Sequence, residues 1–166
     1  MPGDAIEEKE VGKKDSWIVD GESWGRILRH TAGSYPNEAC GILLSHSEEL
    51  QRITEVHPTE NATSEDQATR YFVDPHEFLD VDQWAEERGL DICGFYHSHP
   101  DHPSTPSEYD RKMALEGYLY IIVSIEGGRF NDASAWLYSR KTGHFQEVTV
   151  QPNDRKGYDK DSSPSP

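Results

Sequence analysis

Apolar and polar positions recur with two periods along this chain, and the switches between them mark its elements. "SWIV" (16–19) reads as a short strand. "ESWGRILRHTAG" (22–33) places Trp24, Ile27, Leu28 and Thr31 on one helical face, and Gly33 can end that helix. "ACGILLSH" (39–46) is a continuous apolar run, as a buried strand requires, and "LQRITEVHP" (50–58) alternates as a half-exposed one does. A polar loop, "TENATSEDQAT" (59–69), leads to a further predicted strand, "RYFV" (70–73).

Helical spacing returns at 74–89. Asp74 reads as the N-cap, Pro75 sits at the first helical position, and Glu77 completes a capping box. Phe78, Val81 and Trp84 form the apolar stripe. "LDICGFYHSH" (90–99) is the next strand, followed by a helix at about 106–116. Strands at 118–126, 132–139 and 144–150 close the pattern, with turns at Gly127-Gly128 and Thr142-Gly143. This order predicts an α+β (mixed α/β) domain: a central, mostly antiparallel curved sheet flanked by helices. The domain is expected at 15–151, with a mobile N-terminal tail at 1–14 and a disordered C-terminal tail at 152–166, both polar and charged.

Composition narrows the partners. The chain has 31 acidic and 16 basic side chains, a formal charge of −15 over 166 residues. Binding nucleic acid needs Lys and Arg to displace counterions, so neither nucleic acid nor an anionic membrane is an expected partner. Such acidity also suits a salt-rich environment. No apolar run approaches the roughly 18 residues of a membrane span, and the N-terminus lacks an apolar signal core. A cytoplasmic location is the expectation. The only cysteines, Cys40 and Cys93, make no disulfide framework. They read as small buried residues on adjacent strands, with a mutual disulfide open if those strands pair.

The candidate chemistry lies in "GFYHSHPDHPSTPSEYD" (94–110). On an extended strand, His97 and His99 point to the same side and Ser98 points away. Two adjacent imidazoles can take two corners of a zinc tetrahedron. "TPSEYD" predicts a second capping box, with Thr105 at the N-cap, Pro106 at N1 and Glu108 at N3. Ser107 and Asp110, three apart, then share one helix face. If that face meets the histidine strand, Asp110 supplies a third ligand and Ser107 stands beside it. Three protein ligands leave one position open, as in catalytic rather than structural zinc sites. His102, in the turn, is assigned to packing or substrate contact, and neither Asp101 nor Glu108 is expected to bind metal.

"HSHPDHPSTPSEYD" resembles the JAMM motif: His-x-His, seven residues, then Ser-x-x-Asp. "YPNEACGILL" resembles the upstream part of the same family, with Glu38 ahead of Cys40 and Gly41. The chain is thereby similar to JAMM (MPN-plus) zinc metallopeptidases. The resemblance implies the JAMM/MPN fold and one Zn2+ held by His97, His99 and Asp110. It further implies Glu38 as general base and Ser107 as the hydrogen-bond donor to the oxygen that gains charge.

Family members cleave amide or isopeptide bonds after the C-terminal glycine of ubiquitin-like proteins. This chain most resembles the compact prokaryotic, Mec-like members that act on sulfur-carrier proteins and release cysteine. That is the expected function. Removal of a ubiquitin-like modifier from protein lysines is the first alternative, and non-catalytic binding of ubiquitin-like tails the second. The implied partner is a ubiquitin-like or sulfur-carrier protein whose Gly-Gly tail lies extended in a groove. The segment "TENATSEDQATRYF" (59–72) is the expected source of a strand edge for that tail.

Overall fold

Alternation in one central strand decides which face of the sheet each residue serves. The computed structural model describes residues 16–153. The elements are β1 (Ser16–Asp20), α1 (Gly21–Ser34), β2 (Cys40–His46), β3 (Glu49–Thr59), α2 (Pro75–Glu86), β4 (Leu90–Pro100), α3 (Glu108–Met113), β5 (Leu119–Glu126), β6 (Arg129–Ser139) and β7 (His144–Asn153). In β4, Tyr96 joins Leu43, Ile121 and Val123 in the core that receives α1. Its neighbour Phe95 joins Ile42, Leu44 and Tyr120 in a second core under Val81 and Ala85 of α2. The helical stripe predicted for α1 is the one buried: Ile27 and Thr31 are inside, and Trp24 and Leu28 pack against the same core.

The sheet order is β1-β3-β2-β4-β5-β6-β7, closed into a barrel. Antiparallel pairs join β2 to β3 and β4, and β6 to β5 and β7. The parallel pairs are β1 with β3, β1 with β7, and β4 with β5. The curved, mostly antiparallel sheet expected from the sequence is present, and β1 seals it by bridging β3 and β7.

Gly94 makes the β4–β5 pairing possible. A Cβ there would lie 2.0 Å from the Leu119 carbonyl oxygen, a distance no side chain tolerates.

Four local expectations need correction. Arg70–Val73 is not a strand, because its backbone is served by Asn61 and Ala62 instead of a sheet partner. The Asn61 amide donates to the Arg70 carbonyl (2.8 Å), Asn61 Oδ1 accepts from Phe72 N–H (3.1 Å), and Ala62 N–H donates to the Phe72 carbonyl (2.8 Å). The segment 60–72 is accordingly an ordered loop and offers no strand edge.

Asp74 and Pro75 begin α2 as predicted, but Asp74 caps through His76 N–H, while Glu77 faces His57 at 3.6 Å. The helix ends at Glu86, ahead of Gly89 at φ 68°. Finally, β7 runs to Asn153, pairing Pro152 and Asn153 with Val19 and Asp20, two residues into the expected C-terminal tail. The expected tail at 1–14 and the rest of the C-terminal one lie outside the described residues.

Both cysteines are buried free thiols, as expected of small core residues. Although β2 and β4 pair, their register sets Cys40 opposite His97, so Cys93 lies further along the ladder and no disulfide forms. Burial pushes the thiols up to about 11 for Cys40 and about 12 for Cys93, where they are protonated and unreactive at neutral pH.

Candidate active site

His97 and His99 continue the Phe95 face of β4 and emerge at its C-terminal end, both buried. There they meet α3. That helix starts later than predicted: Ser107, not Thr105, is its N-cap, and Asp110, not Glu108, is N3. Ser107 and Asp110 form a complete capping box. Ser107 Oγ accepts from Asp110 N–H (3.0 Å), and Asp110 Oδ2 accepts from Ser107 N–H (2.9 Å). Glu108 is exposed and pairs with Arg111.

The correction matters chemically, because the carboxylate that caps α3 also faces the histidines. Asp110 Oδ1 is 3.2 Å from His97 Nε2, Asp110 Oδ2 is 3.1 Å from His99 Nε2, and the two Nε2 atoms are 3.2 Å apart. The donor set has a definite charge requirement. His99 Nδ1 is 2.7 Å from the Pro103 carbonyl oxygen, which can only accept, so Nδ1 carries the hydrogen. In the neutral ring Nε2 is then a bare lone pair, aimed at an anionic oxygen and a second imidazole nitrogen. A positive charge, carried by a proton on the ring or by a metal ion, completes such a triad. Two imidazole nitrogens and a carboxylate are the borderline donors that suit zinc-like metals, and the carbonyl behind His99 is the outer partner such ligands use.

The electrostatics agree. Burial opposes the charge on Asp110, but His97, His99 and Ser107 N–H prevail and hold its carboxyl well below the usual carboxylate range. Burial keeps His97 below its ordinary value. For His99 burial pulls the same way, but Asp110 and the Pro103 carbonyl outweigh it and raise the ring.

Glu38 precedes β2 and is also buried. Burial pushes its carboxyl up to about 8, with His99 pulling it back and Asp110 pushing it further. Its main chain is held on several sides: Glu38 N–H donates to the Gln67 carbonyl (2.7 Å), and the Asn61 amide donates to the Glu38 carbonyl (3.1 Å). The structure thus brings together His97, His99, Asp110 and Ser107, with Glu38 near enough to feel the charges of His99 and Asp110.

It leaves His102 and Asp101 outside the cluster. The His102 carbonyl accepts from Ser124 Oγ (2.6 Å). Asp101, at φ 58°, accepts from Tyr35 Oη (2.7 Å) and Gly127 N–H (2.9 Å), tying down the turn that presents Pro103.

Two contacts at the site escaped the sequence reading. Tyr71 stacks on His97, with ring centroids 4.4 Å apart, and forms one wall of an apolar groove with Phe72, Phe78, Phe95, Met113 and Leu115, about 260 Å3 in volume. Assigning 70–73 to a strand hid that role. Ser98 faces away from the ligands and bonds Ala39; its alternate direction was legible, its partner was not.

The family of prokaryotic homologues of the JAB domain matches residues 22–138, most of the chain. This chain is a prokaryotic JAB (JAMM/MPN) family member. A desampylase of Haloferax volcanii is 39% identical over 106 residues, covering 61% of this chain and 75% of that protein. A desampylase of Pyrococcus furiosus is 26% identical over 136 residues, covering 81% and 90% respectively. A JAB1/MPN domain protein from Archaeoglobus fulgidus has the same fold, with a TM-score of 0.51 at 20% identity over 82% of this chain and 98% of that one. As a JAMM-type hydrolase, this JAB-family chain carries its buried His-His-Asp triad where β4 meets α3. Among the described residues, no helix of this family member is long and apolar enough to cross a membrane.

Proposed function

We propose that this enzyme hydrolyses the amide bond after the C-terminal glycine of a ubiquitin-like protein, using one zinc ion held by His97, His99 and Asp110. The observation that carries the reading is the buried triad of His97, His99 and Asp110, with the Pro103 carbonyl on His99 Nδ1 turning Nε2 toward Asp110, near a buried Glu38. When bound, zinc acidifies water and polarises the scissile carbonyl.

Glu38 takes the proton lost by the attacking water and returns it to the departing amine nitrogen as the C–N bond breaks. Burial raises its carboxyl, which favours the protonated form that hands the proton on to the departing nitrogen. Ser107 uses a lone pair on Asp110 N–H, which leaves its exposed hydroxyl proton to donate to the carbonyl oxygen as charge builds there. The apolar groove beside Tyr71 takes the tail residues before the glycines, replacing the strand edge expected at 59–72.

The desampylase relatives favour a modifier attached through an amine of another protein. Release of cysteine from a sulfur-carrier protein is a second reading, favoured by the burial of both cysteines, which leaves no exposed thiol to hold a second zinc.

The test offers zinc-loaded enzyme a lysine-linked conjugate and a carrier–cysteine adduct, and weighs the products. Cleavage after the terminal glycine of either supports hydrolysis and names the leaving amine; intact substrates overturn the reading. Glu38→Gln is expected to keep its zinc by elemental analysis and to lose about 10²–10⁴-fold in turnover. Wild-type turnover in that variant would remove Glu38 from its role.

A further inference from the structure

Between the two histidines sits a residue that the proposed chemistry does not use. Ser98 is fully buried and lies on the opposite face of β4 from His97 and His99. The β2–β4 ladder has its last rung at Cys40 and His97. Beyond it, Ser98 N–H donates to the Ala39 carbonyl (3.0 Å), as a regular antiparallel pair would. The return bond is unusual: Ala39 N–H donates to Ser98 Oγ (2.8 Å), so a hydroxyl stands where a carbonyl would be. Both main-chain polar groups of Ala39 are thus committed to one residue.

Ala39 directly follows Glu38. Of the hydrogen bonds holding the Glu38–Ala39 main chain, those from Gln67 and Asn61 come from the 60–72 loop. The two from Ser98 come from the strand that carries the histidines. We infer that Ser98 is a positioning residue for Glu38, its hydroxyl fixing the Glu38–Ala39 backbone relative to the metal-binding face of β4. This rests on the role of Glu38 in the proposed function. The segment bearing Glu38 is irregular, with no ladder of its own, so its register to β4 depends on these bonds. The middle position of His-x-His then serves the reaction as well as the ligands, by the alternation that sends its side chain away from them. Displacing a reacting group by about 1 Å can cost on the order of 10²-fold in rate.

The experiment compares Ser98→Ala, Ser98→Thr and Ser98→Val, alone and combined with Glu38→Gln, in zinc-loaded enzyme. Thr and Val have nearly the same shape, and only Thr keeps the hydroxyl. Ser98→Ala and Ser98→Val are expected to retain wild-type zinc content and a KM within about twofold, while kcat falls roughly tenfold or more. Ser98→Thr restores most of kcat. Amide exchange at Ala39 speeds up in Ala and Val and stays slow in Thr. In the Glu38→Gln background the Ser98 substitutions change the residual rate little, because the group they position is gone.

Equal kcat for Thr and Val, or an undiminished Ser98 effect in the Glu38→Gln background, overturns the inference. The two possible failures are separable. A fully active Glu38→Gln sinks the proposed base, whereas an impaired Glu38→Gln with a fully active Ser98→Val sinks only the positioning role.

Discussion

Glu38 gives the site a pH signature measurable without any substrate. In the metal-free protein, burial raises its carboxyl from 4.5 to about 8. Over that window the folded state keeps the proton and the unfolded chain gives it up. The stability this contributes is complete below pH 4.5 and is lost as pH rises through about 8, by up to about 1.4 kcal/mol per pH unit. Glu38→Gln cannot ionise. In chelator, its stability advantage over wild type should therefore grow between pH 4.5 and 8 and stay flat below. Urea melts at a series of pH values check this, and a difference constant across the window would contradict it. Several site residues were legible in the sequence because they obey local periods: two for His97 and His99, three for Ser107 and Asp110. Glu38 obeys none. It reaches the centre through the β2–β4 register and the Gln67 and Asn61 bonds, all long-range, and only family resemblance pointed to it.

Elements were readable where one face carries a strong period, as in α1, or where an apolar run is buried on both faces, as in β2. Errors cluster where a side chain takes a job that backbone usually does. Asn61 replaces a strand partner for 70–72, and Ser107 with Asp110 outcompetes the Thr105–Glu108 box. In the second case the pattern was present twice in six residues. The histidines select the later copy, because only it aims the N3 carboxylate at them. The β4–β5 pair supplies an element-scale prediction. Gly94→Ala would force a methyl to within 2.0 Å of the Leu119 carbonyl oxygen, so the parallel rungs must separate. A loss of at least about 3 kcal/mol is expected by urea denaturation, a size reserved for strained or disrupted cores. Full stability would show that the strands yield cheaply.

For the whole molecule, the sequence pattern disclosed the class, the flanking helices and, apart from the strand expected at 70–73, the element order. Closure of the barrel was hidden, because β1 and β7 lie at opposite ends of the described chain and no local pattern records their meeting. Charge acts at this scale too. At −15 the molecule repels itself, and shortening the Debye length from about 10 Å at 0.1 M salt to about 3 Å at 1 M should relieve that. The Tm should rise across that range with the fold unchanged. A flat or falling Tm would mean that local ion pairs, which salt weakens, outweigh the net repulsion.

The closing pair has a mechanical meaning as well. β1 and β7 run parallel, with Ser16 beside Thr149 and Asp20 beside Asn153. Tension drawn backward from Ser16 and forward from Asn153 would slide the two strands past each other. Every rung between them would bear load at once, rather than parting one by one as in a zipper. Held by its two ends, the barrel is a clamp loaded in shear.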